Sequence, residues 1–380
     1  MPKKKSKGNT LDYPLIIITI VLVALGLIMI LSASAPSSLA EVGHSYRYFT
    51  NQFLFAGFGF GALFVFSVID YRKYEKFYWL IYIIGIFSIF IVMIPGVGVT
   101  VKGATRWAQI GPIGFQPSEI TKIAMILFFA GYLTRYKDKT KSFFWGFLLP
   151  GVLIAIPVAL LYKIQNHLSA GIILGSVSLI IILMGSVRKF YWIATGGLGG
   201  FTIFTYVISK MSNVSESFRL RRINTFLNPW SDPLGDGYQI IHSLYAFGSG
   251  GIKGRGLGNS IQKYSYIPEP ENDFIFAILA EEFGFIGCIV VVAVFAAFIW
   301  RGIRISLDAK DMYGSLLAIG IVSLIAVQLI LNIAVVTNSV PTTGVSLPFF
   351  SYGGTSLVLT LICVGVLLNI SKNRELKEVK

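Results

Sequence analysis

Blocks of about twenty consecutive apolar residues recur along nearly the whole chain, and they decide what it can fold into. The first runs from Pro14 to Ala33. A helix rises about 1.5 Å per residue, so such a block matches a hydrocarbon layer roughly 30 Å thick. In that layer each backbone N–H and C=O must be bonded within the protein, which leaves helices as the natural solution. Ten blocks are readable, at 14–33, 50–69, 77–95, 118–134, 144–162, 168–186, 190–209, 273–300, 315–336 and 352–370. Charged residues make up 13% of the chain and mean hydropathy is +0.72, whereas a soluble domain carries about 25% charge. The predicted fold class is therefore an all-α integral membrane protein with ten transmembrane helices.

A net charge of +14 would suggest nucleic acid in a soluble protein, but here topology accounts for it. With the N-terminus inside, the cytoplasmic segments hold twenty basic residues, among them Lys3, Arg72, Arg135, Arg188, Arg301 and Lys372. The outer segments hold eleven, seven of them in the single loop 210–272. Long loops cross largely regardless of charge, so the bias of the short ones sets the orientation. Both termini are expected to be cytoplasmic, as tails 1–13 and 371–380 around one membrane domain, 14–370. A large extracellular loop, 210–272, separates helices 7 and 8. Lys3, Lys4 and Lys5 precede a full-length apolar run with no small-residue cleavage site, which reads as a retained first helix. Cys288 and Cys363 lie inside apolar runs and form neither a disulfide framework nor a metal site.

Three outer segments, 96–117, 210–272 and 337–351, are too long or too patterned to be simple connectors. In the first, Arg106 and Trp107 precede Phe115-Gln-Pro-Ser-Glu119, where Pro117 suits a first helical turn. Glu119 and Lys122 are three apart and share a helix face within the membrane region. An ionisable group there costs about 2.5–3.5 kcal/mol, so the pair is either a packing clamp or the lining of a polar cavity. In the loop, Arg219, Arg221 and Arg222 form an outward basic cluster. It suits lipid phosphates in general or the two-pronged holding of a diphosphate. The glycine-rich run 246–260 lacks the spacing of a nucleotide-binding loop and reads as a tight, re-entrant turn.

Asp273 stands where the polar loop gives way to the eighth apolar block. A carboxylate at that outer mouth is well placed to take a proton from a substrate at the membrane surface, and it equally suits a helix first turn. Glu281, eight residues on, lies about 80° around and roughly 12 Å deeper, while Glu282 points to the opposite side. The segment 340–356 has two prolines and many hydroxyls inside an apolar region. Such backbone persists at membrane depth only where protein buries it or water reaches it. His44, His167 and His242 have no metal-ligand spacing.

Together these residues resemble the SEDS family of polytopic peptidoglycan glycosyltransferases, RodA, FtsW and SpoVE. The likeness spans about 14–372. It rests on Arg106-Trp107, Phe115-Gln-Pro-Ser-Glu119, Gly237-Tyr-Gln239, Gly256 to Lys263, Asp273-Phe-Ile-Phe276, Ala280-Glu-Glu-Phe-Gly284 and Leu347-Pro-Phe-Phe-Ser-Tyr-Gly-Gly354. Asn228-Pro-Trp-Ser-Asp-Pro233 and Gly258-Asn-Ser-Ile-Gln-Lys263 are closer to the FtsW/SpoVE branch. The resemblance implies a cavity open to the outer leaflet of the bacterial cytoplasmic membrane. It implies polymerisation of lipid II in division, sporulation or cell-shape control. It also implies a class B penicillin-binding protein as partner, alongside other divisome or elongasome membrane proteins, and no nucleic acid. Asp273 matches the essential acid; Glu119 and Lys122 match the cavity pair. Arg106, Trp107, Arg219, Arg221, Arg222, Gln239, Lys263, Glu281, Ser351 and Tyr352 are the further candidate substrate contacts. A divalent cation (Mg or Mn) is the one cofactor to consider. Two departures stand out. Asn166-His167-Leu168-Ser169 replaces the usual Pro-Asp-Leu-Gly, and Glu271 stands where histidine is common. The rival readings are a lipid II flippase and a non-catalytic scaffold. The outer-side clustering of unusual segments favours chemistry over midplane transport.

Overall fold

The structure, a computed structural model, describes residues 11–101, 103–111, 113–195, 218–235, 237–264 and 266–373 of the 380. Helix α1 (Tyr13–Val42) starts on Asp12, whose carboxylate accepts from the Leu15 N–H, with Pro14 in the first turn. Then come α2 (Arg47–Val68), α3 (Arg72–Glu75), α4 (Tyr78–Phe90), α5 (Pro117–Arg135), α6 (Leu149–Gln165) and α7 (Leu168–Met184). Helical backbone resumes over 189–195; the rest of the expected seventh span, 190–209, lies outside the described residues. The later elements are α8 (Phe218–Leu227), α9 (Tyr238–Gly250), α10 (Ile275–Leu307), α11 (Met312–Val336) and α12 (Gly354–Lys372).

Among the described residues, six helices are long and apolar enough to cross a membrane: Tyr13–Val42, Arg47–Val68, Phe144–Gln165, Ile275–Leu307, Met312–Val336 and Gly354–Lys372. Tyr78–Met93 and Leu168–Met184 are apolar but shorter. Helix α11 is the centre of the bundle, packed against α5, α7, α10 and α12. Around it α2 packs on α12, α4 on α5, and α1 on α10. At the end of the bundle opposite the site described below, polar side chains lock the helices together. Asp311 caps α11 through the Gly314 N–H and accepts from Tyr71 Oη at 2.6 Å and Arg72 Nε at 2.9 Å. Arg301 Nε reaches both Asp12 carboxylate oxygens, which joins α10 to the start of α1. These contacts satisfy groups that would otherwise be costly to bury.

Three features depart from the sequence expectation. First, 98–115 is not a loop but a three-stranded antiparallel sheet of β1 (Gly98–Val101), β2 (Ala104–Ile110) and β3 (Ile113–Phe115). It pairs Val99 with Trp107 and Ala108 with Phe115. Secondly, α1 runs nine residues past the expected 33, to Val42. Thirdly, the block at 273–300 is not one uninterrupted helix. Gly284 has φ 65° and ψ −166° inside α10. Into that break fits the glycine-rich turn after α9. Arg255 and Gly256 donate their N–H groups to Glu281 O and Glu282 O, and Phe285 and Ile286 donate theirs to Gly251 O and Ile252 O. A Cβ on Gly284 would lie 2.3 Å from Gly254 N, so only glycine allows this approach. The run at 246–260 is therefore a docked turn, with its glycines used for backbone contact.

Candidate active site

Strand β2 alternates its side chains across the sheet. Ala104 and Ala108 are buried on one face with the half-buried Arg106 between them, while Trp107, 39% exposed, faces outward. Arg106 Nη2 donates to Asn166 O at 2.9 Å, in the left-handed turn that joins α6 to α7. Its Nε is buried without a protein partner. Burial lowers the Arg106 pKa from its ordinary value, and the negative charge of Asp273 acts in the opposite sense. The guanidinium and the acid thus share one electrostatic environment.

Helix α5 starts at Pro117, as the sequence suggested, and brings Glu119 and Lys122 together with Nζ 2.7 Å from Oε1. His167, just before α7, faces the same region. Its Nδ1 lies 3.4 Å from Gln116 Nε2. Burial, then the positive charges of Arg106 and Lys122, push its pKa down to about 3, so the imidazole is neutral. Where the resemblance led to an expected carboxylate, this chain places a neutral ring in the field of two cations.

Asp273 sits two residues before α10, half-buried, on a backbone fastened at three successive carbonyls. Tyr352 N donates to Glu271 O at 2.8 Å, Ser351 Oγ to Asn272 O at 2.7 Å, and Asn332 Nδ2 to Asp273 O at 2.8 Å. Gln52 holds the other side of that contact, with its amide bonded to Ser351 O and Gly353 N. Ser351 and Tyr352, expected to meet substrate, therefore reach the site through the backbone that carries Asp273. The Tyr352 ring packs edge-on against Tyr48 at 4.9 Å. Glu271 is 3% exposed with Oε2 buried and unpartnered. Burial foremost, with the charges of Glu269 and Glu41, raises its pKa to about 7 against the lowering effect of a backbone hydrogen bond.

Other candidates lie elsewhere. Glu281 is fully buried and accepts from Ser249 Oγ, Ser260 Oγ and the N–H groups of Ile261 and Gln262. Lys263 Nζ bonds to Glu282 Oε1 at 2.9 Å, Ser32 Oγ at 3.1 Å and Gly258 O at 2.7 Å. Both were expected to face substrate; both instead fasten the 251–263 turn to α10 and α1, with their hydrogen-bonding capacity used. Gln239 Nε2 lies 3.5 Å from Pro268 O, on the loop side. Arg222 Nη1 donates to Thr342 O at 2.8 Å. The side chains of Arg219 and Arg221 lie outside the described residues. Asn332 escaped the sequence reading, and Gln116 was read only as part of the Phe115-Gln-Pro-Ser-Glu119 motif. Asn332 had one available signal, an amide inside an apolar block, which is costly unless employed.

Residues 13–376 match the profile of the cell cycle protein family of FtsW, RodA and SpoVE. The chain belongs to this family. It is 43% identical over 369 residues to stage V sporulation protein E of Bacillus subtilis, covering 97% of this chain and 98% of that one. It is 40% identical over 360 residues to a protein of Geobacter sulfurreducens named a probable peptidoglycan glycosyltransferase FtsW, covering 95% of each. Among solved structures it resembles a chain from a peptidoglycan synthase complex that coordinates polymerisation and crosslinking (TM-score 0.77, 23% identity, 96% and 98% coverage). It likewise resembles the rod shape determining protein RodA of Thermus thermophilus (TM-score 0.69, 22% identity, 99% and 100% coverage). The FtsW/RodA/SpoVE chain described here is thus an α-helical, multi-pass membrane protein that carries a small three-stranded sheet.

Proposed function

We propose that this FtsW/RodA/SpoVE protein is a peptidoglycan glycosyltransferase that polymerises lipid II at the outer face of the cytoplasmic membrane, in division or sporulation. It would span the membrane ten times with both ends cytoplasmic. The observation that carries the reading is Asp273, a carboxylate on a thrice-fastened backbone in the same electrostatic environment as Arg106. Chemistry needs little else. The donor already carries a diphosphate leaving group, so the site must supply a base for the acceptor and positive charge for the departing anion.

Asp273 takes the proton of the acceptor N-acetylglucosamine 4-hydroxyl. That oxygen bonds to the anomeric carbon of the donor muramic acid with inversion, and the electron pair of the breaking carbon–oxygen bond leaves with the undecaprenyl diphosphate. Arg106 holds the diphosphate, Lys122 stabilises the charge that develops on it, and neutral His167 offers a hydrogen bond without repelling either cation. Among the described residues no cluster of three or more His, Cys, Asp or Glu side chains could hold a metal ion. A divalent cation, where one takes part, would share the charge of the substrate's diphosphate with Arg106 and Lys122. The partner is a class B penicillin-binding protein with other divisome membrane proteins, in keeping with the synthase complex whose chain this fold resembles.

The test compares wild type with Asp273→Asn, each purified with its matched transpeptidase and given lipid II and a divalent cation, on a gel that resolves glycan strands. Wild type should yield polymer and the variant none, with lipid II binding retained. Full activity in the variant would remove Asp273 from the role.

A further inference from the structure

The outer segment 341–347 has no regular structure, yet side chains from three helices hold three of its carbonyls. Arg222 of α8 donates to Thr342 O at 2.8 Å, Ser169 of α7 donates to Thr343 O, and Asn332 of α11 donates to Val345 O at 2.6 Å. The residue skipped in this series is Gly344. It is exposed, at φ 63°, and a Cβ placed on it would lie 3.1 Å from Asp273 Oδ2. That contact is tighter than unstrained packing, so the segment lies directly on the carboxylate. The amide that holds Val345 is also the one that holds the Asp273 carbonyl. Asn332 is fully buried, so both bonds form away from competing water. One side chain therefore links the backbone of the acid to the segment resting on its carboxylate.

We propose that 342–345 is a strap that sets the direction of the Asp273 carboxylate. Asn332 is its positioning residue, and Gly344 is the clearance that lets an acceptor hydroxyl approach Oδ2. The inference rests on reading Asp273 as the base and assigns the parts that aim it. Aim matters because a reacting group displaced by about 1 Å loses on the order of a hundredfold in rate. The absence of a side chain at Gly344, beside the carboxylate, is what a clearance requires. Asn332 touches no substrate in this scheme; it acts through Asp273.

The test uses the full-length protein with its transpeptidase, in wild type, Gly344→Ala, Gly344→Asn and Asn332→Ser forms. Gly344→Ala should lower kcat about tenfold or more, with KM for lipid II unchanged. Asparagine tolerates left-handed backbone but also carries a Cβ, so Gly344→Asn should fall as far. Recovery in the asparagine variant would trace the loss to backbone strain and overturn the clearance. Asn332→Ser should lower kcat, leave KM in place and shift the pH–rate profile. An unmoved profile with unchanged kcat would overturn the positioning role. Carbodiimide modification of Asp273, mapped by mass spectrometry, reads the carboxylate without requiring turnover. The proposal expects its rate to change in both the Gly344 and Asn332 variants; an unchanged rate in all of them overturns the strap. If wild type makes no polymer, the glycosyltransferase reading fails, while the modification rates still decide whether the strap sets the carboxylate.

Discussion

Lys122 Nζ lies 2.7 Å from Glu119 Oε1, one turn apart on α5, with 4% and 14% of the two side chains exposed. Neither charge can turn to bulk water. A buried pair gives little net stability over an apolar pair of similar shape, but removal of one partner strands the other charge at a cost of about 3–5 kcal/mol. Glu119→Gln and Lys122→Met should each destabilise the protein by roughly that amount, and the double substitution by clearly less than their sum. Thermal unfolding of the four forms in detergent completes the cycle. Additive losses would mean that the charges are independently solvated.

Arg106 makes a different argument, because its fork does two things at once. Nη2 holds the Asn166 turn while Nε remains buried and unpartnered, a donor poised for an incoming anion. Lysine keeps the charge but not the planar geometry. Arg106→Lys should raise KM for lipid II about ten- to a hundredfold, corresponding to about 1.5–3 kcal/mol for a charged hydrogen bond, with a smaller effect on kcat. Steady-state polymerisation at graded lipid II separates the two. An unchanged KM would place the diphosphate elsewhere.

Glu271 predicts a pH dependence of stability. Its pKa is raised from 4.5 to about 7, chiefly by burial. A carboxyl that holds its proton more tightly when folded contributes stability fully present below about 4.5. That contribution is lost as pH rises through about 7. Glu271→Gln mimics the protonated form permanently. The variant should match wild type near pH 4.5 and exceed it by up to about 3 kcal/mol at pH 8. Denaturation at the two pH values checks this; a gap independent of pH would show that Glu271 does not titrate in the folded protein.

What could be read from the sequence was what depends on local pattern. Apolar block length located the helices at 14–33, 50–69 and 315–336 because a membrane core admits little besides helix. Pro117 marked the start of α5, and spacing alone put Glu119 and Lys122 on one face. The sheet at 98–115 was not legible: its strands are short, and Gly103 and Gly111 read equally as loop residues. Nor were the partners of Lys263 and Glu281. Lys263 meets Ser32, 231 positions away in the chain, and no periodicity reports such a meeting. The same limit hid Asn332, whose two acceptors, Asp273 and Val345, lie in separate segments.

Glu281 yields the last prediction, and its logic is geometric. Both carboxylate oxygens accept: Oε1 from Ser249 Oγ and the Ile261 N–H, Oε2 from Ser260 Oγ and the Gln262 N–H. All four partners can donate, so the site is built for an acceptor-only group. Glutamine is nearly the same shape but presents an NH2 where one oxygen stood. That NH2 would face the N–H of Ile261 or Gln262, donor against donor. A buried donor left unsatisfied costs about 1–3 kcal/mol, more where a charged acceptor is lost. Glu281→Gln should therefore loosen the 251–263 turn without disrupting the apolar core. Amide exchange at Ile261 and Gln262 should accelerate by about tenfold or more, while exchange in the core of α11 stays slow. Faster exchange throughout the chain would instead mean that Glu281 supports the whole bundle. Unchanged exchange at those two amides would mean that the turn is held by its backbone bonds at the Gly284 break alone.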